Sequence, residues 1–180
     1  MKTIILPGFS VHNKVWAEEV ANKLNNNAVV HNWLHWENGK SNLSLKEELR
    51  NIIKEIGGEK VNIIAKSVGT MVCMHLLAEI FDQINKIILC GIPSVSEERK
   101  NLFASSLSDF NPKNIIVFQN TKDPLASFSE VKDFITALRN ADMSSSKDVM
   151  KGVNPKIKVI EKPRSDHSYP YFEDFKKFLN

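Results

Sequence analysis

Val61-Asn62-Ile63-Ile64-Ala65-Lys66-Ser67-Val68-Gly69-Thr70 holds the turn on which the fold depends. An apolar, β-branched run ends, a serine stands among small residues, and a helical segment with an apolar face follows. A serine at so sharp a strand-to-helix corner is lifted above the sheet edge. The corner needs small residues two before and two after it, because a larger Cβ would collide with adjacent backbone. Ala65 and Gly69 fill those places. The run Ala-x-Ser-x-Gly is therefore a variant of the Gly-x-Ser-x-Gly turn that presents a serine nucleophile. Lys66, beside the serine, is expected to keep its ammonium group in solvent.

Working outward, six apolar, β-rich segments recur: Thr3–Leu6, Ala28–Asn32, Val61–Ala65, Lys86–Cys90, Asn114–Gln119 and Lys156–Ile160. Most are continuous apolar runs, which suits strands covered on both faces in a parallel sheet. Between them lie stretches with apolar residues three and four apart, the helical spacing. His12–Leu24 carries Val15, Trp16, Val20 and Leu24. Leu43–Ile56 carries Leu45, Leu49, Ile52, Ile53 and Ile56. Val68–Phe81 carries Val72, Leu76 and Ile80, with Cys73 and Leu77 beside them. Phe128–Leu138 carries Val131, Phe134, Ile135 and Leu138, and Tyr171–Leu179 carries Phe172, Phe175 and Leu179. A shorter helix is expected around Glu97–Ala104. Residues 140–155, with Ser144-Ser145-Ser146 and Gly152, read as a surface excursion before the last strand. Strand and helix in alternation predict an α/β, three-layer sandwich with a mostly parallel six-stranded sheet and right-handed crossovers.

Composition narrows the class. The 180 residues, 42% hydrophobic and 25% charged, suit one domain over residues 1–180 with one core. No apolar run is long enough to span a bilayer, and the N-terminal apolar stretch is too short for an export signal, so the cytoplasm is the expected compartment. Cys73 and Cys90, in a helix and at a strand end, are expected as buried, reduced thiols. A net charge of +3 from scattered lysines gives no basic stripe, so no nucleic-acid role is expected. No Gly-x-Gly-x-x-Gly follows the first strand, and no dinucleotide or other cofactor is expected.

Acyl transfer by serine needs a raised hydroxyl, a base, an orienter for that base and donors for the oxyanion. Of five histidines, His167 lies in Pro163-Arg164-Ser165-Asp166-His167-Ser168, the loop between the last strand and the last helix. In a parallel sheet that loop emerges at the same carboxyl edge as Ser67, where ligand sites gather. Asp123 ends Phe118-Gln119-Asn120-Thr121-Lys122-Asp123-Pro124, after the fifth strand at that edge. Asp166 adjoins the histidine and is read as shaping its loop; Asp142 and Asp148 are reserve candidates for the acid. The backbone N–H of Val68 and that of Phe9, in the loop Leu6-Pro7-Gly8-Phe9-Ser10, are the expected oxyanion donors. His31 and His35 stand four apart, but His31 falls on a strand and no third ligand is apparent, so no metal site is expected. His12 and His75 have no acid partner that the sequence suggests.

Taken together, Pro7-Gly8-Phe9, Ala65-Lys66-Ser67-Val68-Gly69, Thr121-Lys122-Asp123-Pro124 and Ser165-Asp166-His167 give the chain a resemblance to the α/β-hydrolase superfamily. It resembles the small, lidless serine hydrolases over nearly its whole length, as a minimal fold without the family's two opening strands. The resemblance implies strand order 2-1-3-4-5-6, with Ser67 as nucleophile, Asp123 as acid and His167 as base. It departs from the family where Pro7-Gly8 replaces His-Gly and where Ala65 replaces the first glycine of the elbow.

No long cap insertion covers the site, so a small, shallow cleft is expected, rimmed by Phe9, His12, Trp36 and Phe128. Trp33, His35 and Trp36 cluster after the second strand, as packing or as a pocket wall. A small-molecule ester or related acyl substrate fits better than a long lipid. Thioesterase, amidase or lactonase chemistry would use the same residues, and a non-catalytic interaction module could keep the same fold. The oligomeric state is not encoded in any of these motifs.

Overall fold

The computed structural model describes residues 1–24, 27–39, 42–142 and 157–180. Six strands form its centre: β1 (Lys2–Leu6), β2 (Ala28–Val30), β3 (Val61–Lys66), β4 (Ile84–Cys90), β5 (Ile115–Asn120) and β6 (Lys158–Lys162). All five pairings are parallel, and the order is β2-β1-β3-β4-β5-β6. Helices fill the connections: α1 (Asn13–Lys23), α2 (Leu34–Asn38), α3 (Leu45–Ile56), α4 (Val68–Ile80), α5 (Glu97–Leu107), α6 (Phe128–Asp142) and α7 (Phe172–Leu179). A parallel pair needs a crossover of this kind, and the crossovers cover both faces of the sheet.

The period of two along each strand divides the core. Ile4, Leu6, Ile63, Ala65, Ile87, Leu89, Ile115 and Val117 face one way, into the cluster with Val72, Leu76 and Leu77 of α4, Phe103 of α5 and Phe134 of α6. Ile5, Ile64, Ile88, Cys90, Ile116 and Phe118 face the other way, against Trp16, Ala17 and Val20 of α1 and Phe175 of α7. Each such side chain taken fully out of water contributes roughly 1.5–3 kcal/mol. Both cysteines are free and buried, and burial pushes both thiols up from their ordinary range.

The expected segments differ from the observed ones in instructive places. In α1, Val15 is 61% exposed and Ala17 is buried in its stead. The helix rests on Trp16, Ala17 and Val20, because the bulk of the Trp16 indole sets which side faces the sheet. The second strand ends at Val30 instead of Asn32, although the His31 N–H still donates to Ile5 O at 3.0 Å. Beyond it the chain turns inward to bury Trp33 completely and forms α2, which has no amphipathic spacing of its own. The sixth helix runs on to Asp142, so the start of the expected 140–155 excursion is helical; its remainder, with Asp148, lies outside the described residues. No helix among the described residues is long and apolar enough to cross a membrane.

Candidate active site

The turn after β3 is strained as its sequence requires. Ser67 has φ 54° and ψ −120°, the only positive φ at a non-glycine among the described residues. Such a conformation costs on the order of 1–3 kcal/mol and persists only where its surroundings fix it. Here the Ser67 N–H donates to Cys90 O at 3.0 Å, and the Ser67 carbonyl accepts from the N–H and the hydroxyl of Thr70 at 3.0 and 2.6 Å. Gly69 is dictated by closeness: a Cβ there would lie 2.2 Å from Leu6 O. The first turn of α4 thus runs against the end of β1, which brings the Pro7-Gly8-Phe9 loop beside the serine. Neither the Phe9 N–H nor the Val68 N–H has a protein acceptor among the described residues.

Asp123 and His167 meet across the ends of β5 and β6. His167 Nδ1 lies 2.7 Å from Asp123 Oδ2. Asp123 is buried and accepts two further bonds, from the Tyr169 hydroxyl at 2.6 Å and from the Leu125 N–H at 2.9 Å. Burial by itself would raise its pKa. The donors His167, Tyr169 and Leu125 outweigh that and hold the carboxyl below its usual range. A carboxylate on Nδ1 fixes the tautomer, so the neutral ring carries its lone pair on Nε2. Nε2 is buried and has no hydrogen-bond partner among the described residues. The ring also lies close to the serine turn. A Cβ on Gly91 would stand 2.8 Å from His167 Cε1, and Gly91 directly follows the Cys90 whose carbonyl anchors Ser67.

Several residues that the sequence reading passed over hold this pair in place. Asn120, at the end of β5, donates from Nδ2 to Asp166 O at 2.7 Å and to Ser168 O at 2.9 Å, the carbonyls on either side of His167. Its own oxygen accepts from the Tyr171 hydroxyl at 2.6 Å. Gln119 accepts from the Ile92 N–H at 3.0 Å and donates to Ala126 O at 2.6 Å, tying the loop after β4 to the acid loop. Tyr169 is fully buried, packs edge-on to the His167 ring at 5.6 Å, and has its phenol pushed up by burial and by Asp123. The signal was two carboxamides closing an apolar strand, followed by alternating tyrosines in Ser168-Tyr169-Pro170-Tyr171. Asp166 shapes the loop: it pairs with Arg164, accepts from the Ser168 N–H at 3.2 Å, and its carboxyl is held down chiefly by that arginine.

The aromatic cluster after β2 braces the opposite loop. Trp33 Nε1 donates to Gly8 O at 3.1 Å and Trp36 Nε1 to Phe9 O at 2.7 Å. His35 Nε2 lies 2.8 Å from the same Phe9 oxygen, and its ring stacks on Phe9 at 4.4 Å. His31 goes elsewhere, to Glu48 Oε2 at 2.8 Å and Glu55 Oε2 at 3.4 Å, so the two histidines four apart do not converge. Of the expected rim residues, Phe9 and Trp36 are joined in this way. His12 lines the cleft between α1 and the loop after β6. Phe128 opens α6 on the β5 side, half-buried, with Lys132 over its ring at 5.7 Å.

Lys66 overturns its expected place in solvent. It is 6% exposed, donates to Asn13 Oδ1 at 2.5 Å and lies 5.4 Å from the Trp16 ring centre. By alternation from Ile64 it falls on the α1 face of the sheet, where its stem packs against the indole. Burial lowers its pKa, which Cys90, Asp123 and Asp166 partly offset.

In sequence, no protein-family model and no curated protein matches the chain. Solved structures match it as folds. A protein described as a YdeN-like hydrolase from Pectobacterium atrosepticum aligns at a TM-score of 0.65 and 13% identity, over 98% of this chain and 89% of that one. The ydeN gene product of B. subtilis aligns at 0.61 and 14% identity, over 99% of each chain. The Bacillus cereus carboxylesterase aligns at 0.57 and 15% identity, over 98% of this chain and 86% of that one. At these identities the likeness is one of fold.

Proposed function

With the fold established as that of the α/β hydrolases, we propose that the chain is a serine hydrolase that cleaves a small ester or related acyl bond through Ser67, His167 and Asp123. One observation carries the reading: a strained serine after β3 and, after β6, a histidine with Nδ1 held by a buried carboxylate and Nε2 free stand at the carboxyl edge of one sheet. That the similar folds include a carboxylesterase supports it.

The chemistry follows from the atoms. Nε2 of His167 takes the Ser67 hydroxyl proton as the oxygen attacks the acyl carbon. The N–H groups of Phe9 and Val68, lacking protein acceptors, receive the developing oxyanion. Asp123 stays ionised, since its donors hold its pKa low, and stabilises the imidazolium. The imidazolium then protonates the leaving group. Water, deprotonated by the same nitrogen, releases the acid and restores Ser67.

The test is turnover of p-nitrophenyl esters from acetate to dodecanoate by the wild type and by Ser67→Ala. The expected result is a preference for short acyl groups that Ser67→Ala abolishes. Undiminished turnover by Ser67→Ala would overturn the mechanism, and a preference for dodecanoate would overturn the substrate class.

A further inference from the structure

A cleft of about 400 Å³ lies between the start of α1 and the loop after β6, lined by His12, Asn13, Trp16, Lys66, Ser168 and Tyr169 among others. Its size is that of a small-molecule site, which runs roughly 300–1,000 Å³. It begins one residue from each of the two reacting groups: Lys66 precedes Ser67, and Ser168 follows His167.

Its floor is a buried cation without an anion. The Lys66 ammonium has three donors, and among the described residues a single neutral acceptor, Asn13 Oδ1, takes one of them. A buried charge normally has a counter-ion. The nearby carboxylates are committed elsewhere: Asp123 to His167, Tyr169 and Leu125, and Asp166 to Arg164 and Ser168. The first turn of α1 brings no acidic residue to the cleft, and its leading N–H groups already donate to Ser10 and Val11. Glu19, on the exposed outer wall, disfavours a dianion and leaves room for one negative charge.

We propose that this cleft is a carboxylate subsite with Lys66 as its counter-ion, so that the substrate is an ester bearing a free carboxylate. A carboxylate there accepts the two unused Lys66 donors and makes the bound group electrically neutral. Asn13 holds the ammonium from one side, and the Trp16 face from another. This rests on the hydrolase reading for the word substrate; the subsite itself does not need it.

The experiment separates the two. Calorimetry on the Ser67→Ala protein compares 3-acetoxybenzoate with its methyl ester, which differ in the carboxylate charge. The carboxylate is expected to bind at least tenfold more tightly. Lys66→Gln in the same background erases that preference, and Lys66→Arg keeps part of it. Equal affinities in the Ser67→Ala protein overturn the subsite before any lysine variant is needed; a preference that survives Lys66→Gln in folded protein overturns the role of Lys66. In the wild type, kcat/KM is expected to favour the carboxylate ester over the methyl ester, and free benzoate is expected to inhibit methyl ester turnover competitively. Non-competitive benzoate would mean an effector site and would overturn the substrate assignment. Tight carboxylate binding with neither ester turned over would sink the hydrolase reading and leave the subsite standing. Turnover of both esters at equal kcat/KM would do the reverse.

Discussion

The two ends of the sheet's carboxyl edge are built differently. On the β5–β6 side, Asp123 and His167 sit in a network of buried side chains: Asn120, Gln119 and Tyr169 are each fully buried, and each makes at least two hydrogen bonds. On the β1–β2 side, the Phe9 loop is held by indole and imidazole donors reaching its carbonyl oxygens, and Phe9 itself is 44% exposed. On the first side the buried groups around His167 are paired while Nε2 of the ring is left free, as the proposed proton transfer requires. The second is gripped by its carbonyl oxygens and by the stacking of His35 on the Phe9 ring, which leaves the Phe9 N–H without a protein acceptor among the described residues. In the proposed mechanism, acid–base geometry and oxyanion geometry are therefore set by separate devices.

The largest break comes on the rigid side. Asp123→Asn leaves the size of the side chain but alters the partner of Nδ1, so turnover of a short p-nitrophenyl ester falls about 10⁴-fold, chiefly in kcat. Asn120→Ala, which touches no reacting group, releases both carbonyls flanking His167. A misplaced base costs about 10²-fold in kcat, read by the same assay, with faster amide exchange in residues 164–169.

Trp36→Phe sharpens the contrast from the other side. It removes one donor from Phe9 O while His35 still reaches that atom, so kcat falls about tenfold or less. The double variant Asn120→Ala/Trp36→Phe should show effects that multiply, because the two networks share no partner. A strongly sub-multiplicative result would join the two sides into one device.

The smallest effect lies in acid. The pKa of Asp123 is lowered in the folded chain, so its stabilising contribution is present above the unfolded value of about 3.9 and is lost as pH falls through the lower folded value. Urea midpoints measured downward from neutral pH should therefore decline more steeply for the wild type than for Asp123→Asn.

What was legible in the chain divides along the same line. The strands and every helix but α2 follow from apolar runs and spacing, which are local, whereas the strand order came from the family resemblance. The placing of Ser67, Asp123 and His167 at one sheet edge was legible because each follows a strand's carboxyl end in a recognisable turn; their roles are those proposed above. Asn120 was not: its partners lie 46 and 48 residues away, and a carboxamide in sequence does not name what it will bind. Lys66 was misplaced because lysine is ordinarily exposed. Its alternation with Ile64 pointed inward, but the Asn13 oxygen that receives it stands 53 residues earlier. Val15 failed for a related reason, since a spacing rule cannot tell which side of an indole a helix will lie on.

The most direct test of the central claim is to map the adduct of a fluorophosphonate probe by mass spectrometry. The account predicts one modified residue, Ser67, in the wild type and in Ser105→Ala, and no adduct in folded Ser67→Ala. An adduct on another residue, or none on folded wild-type protein, would contradict it.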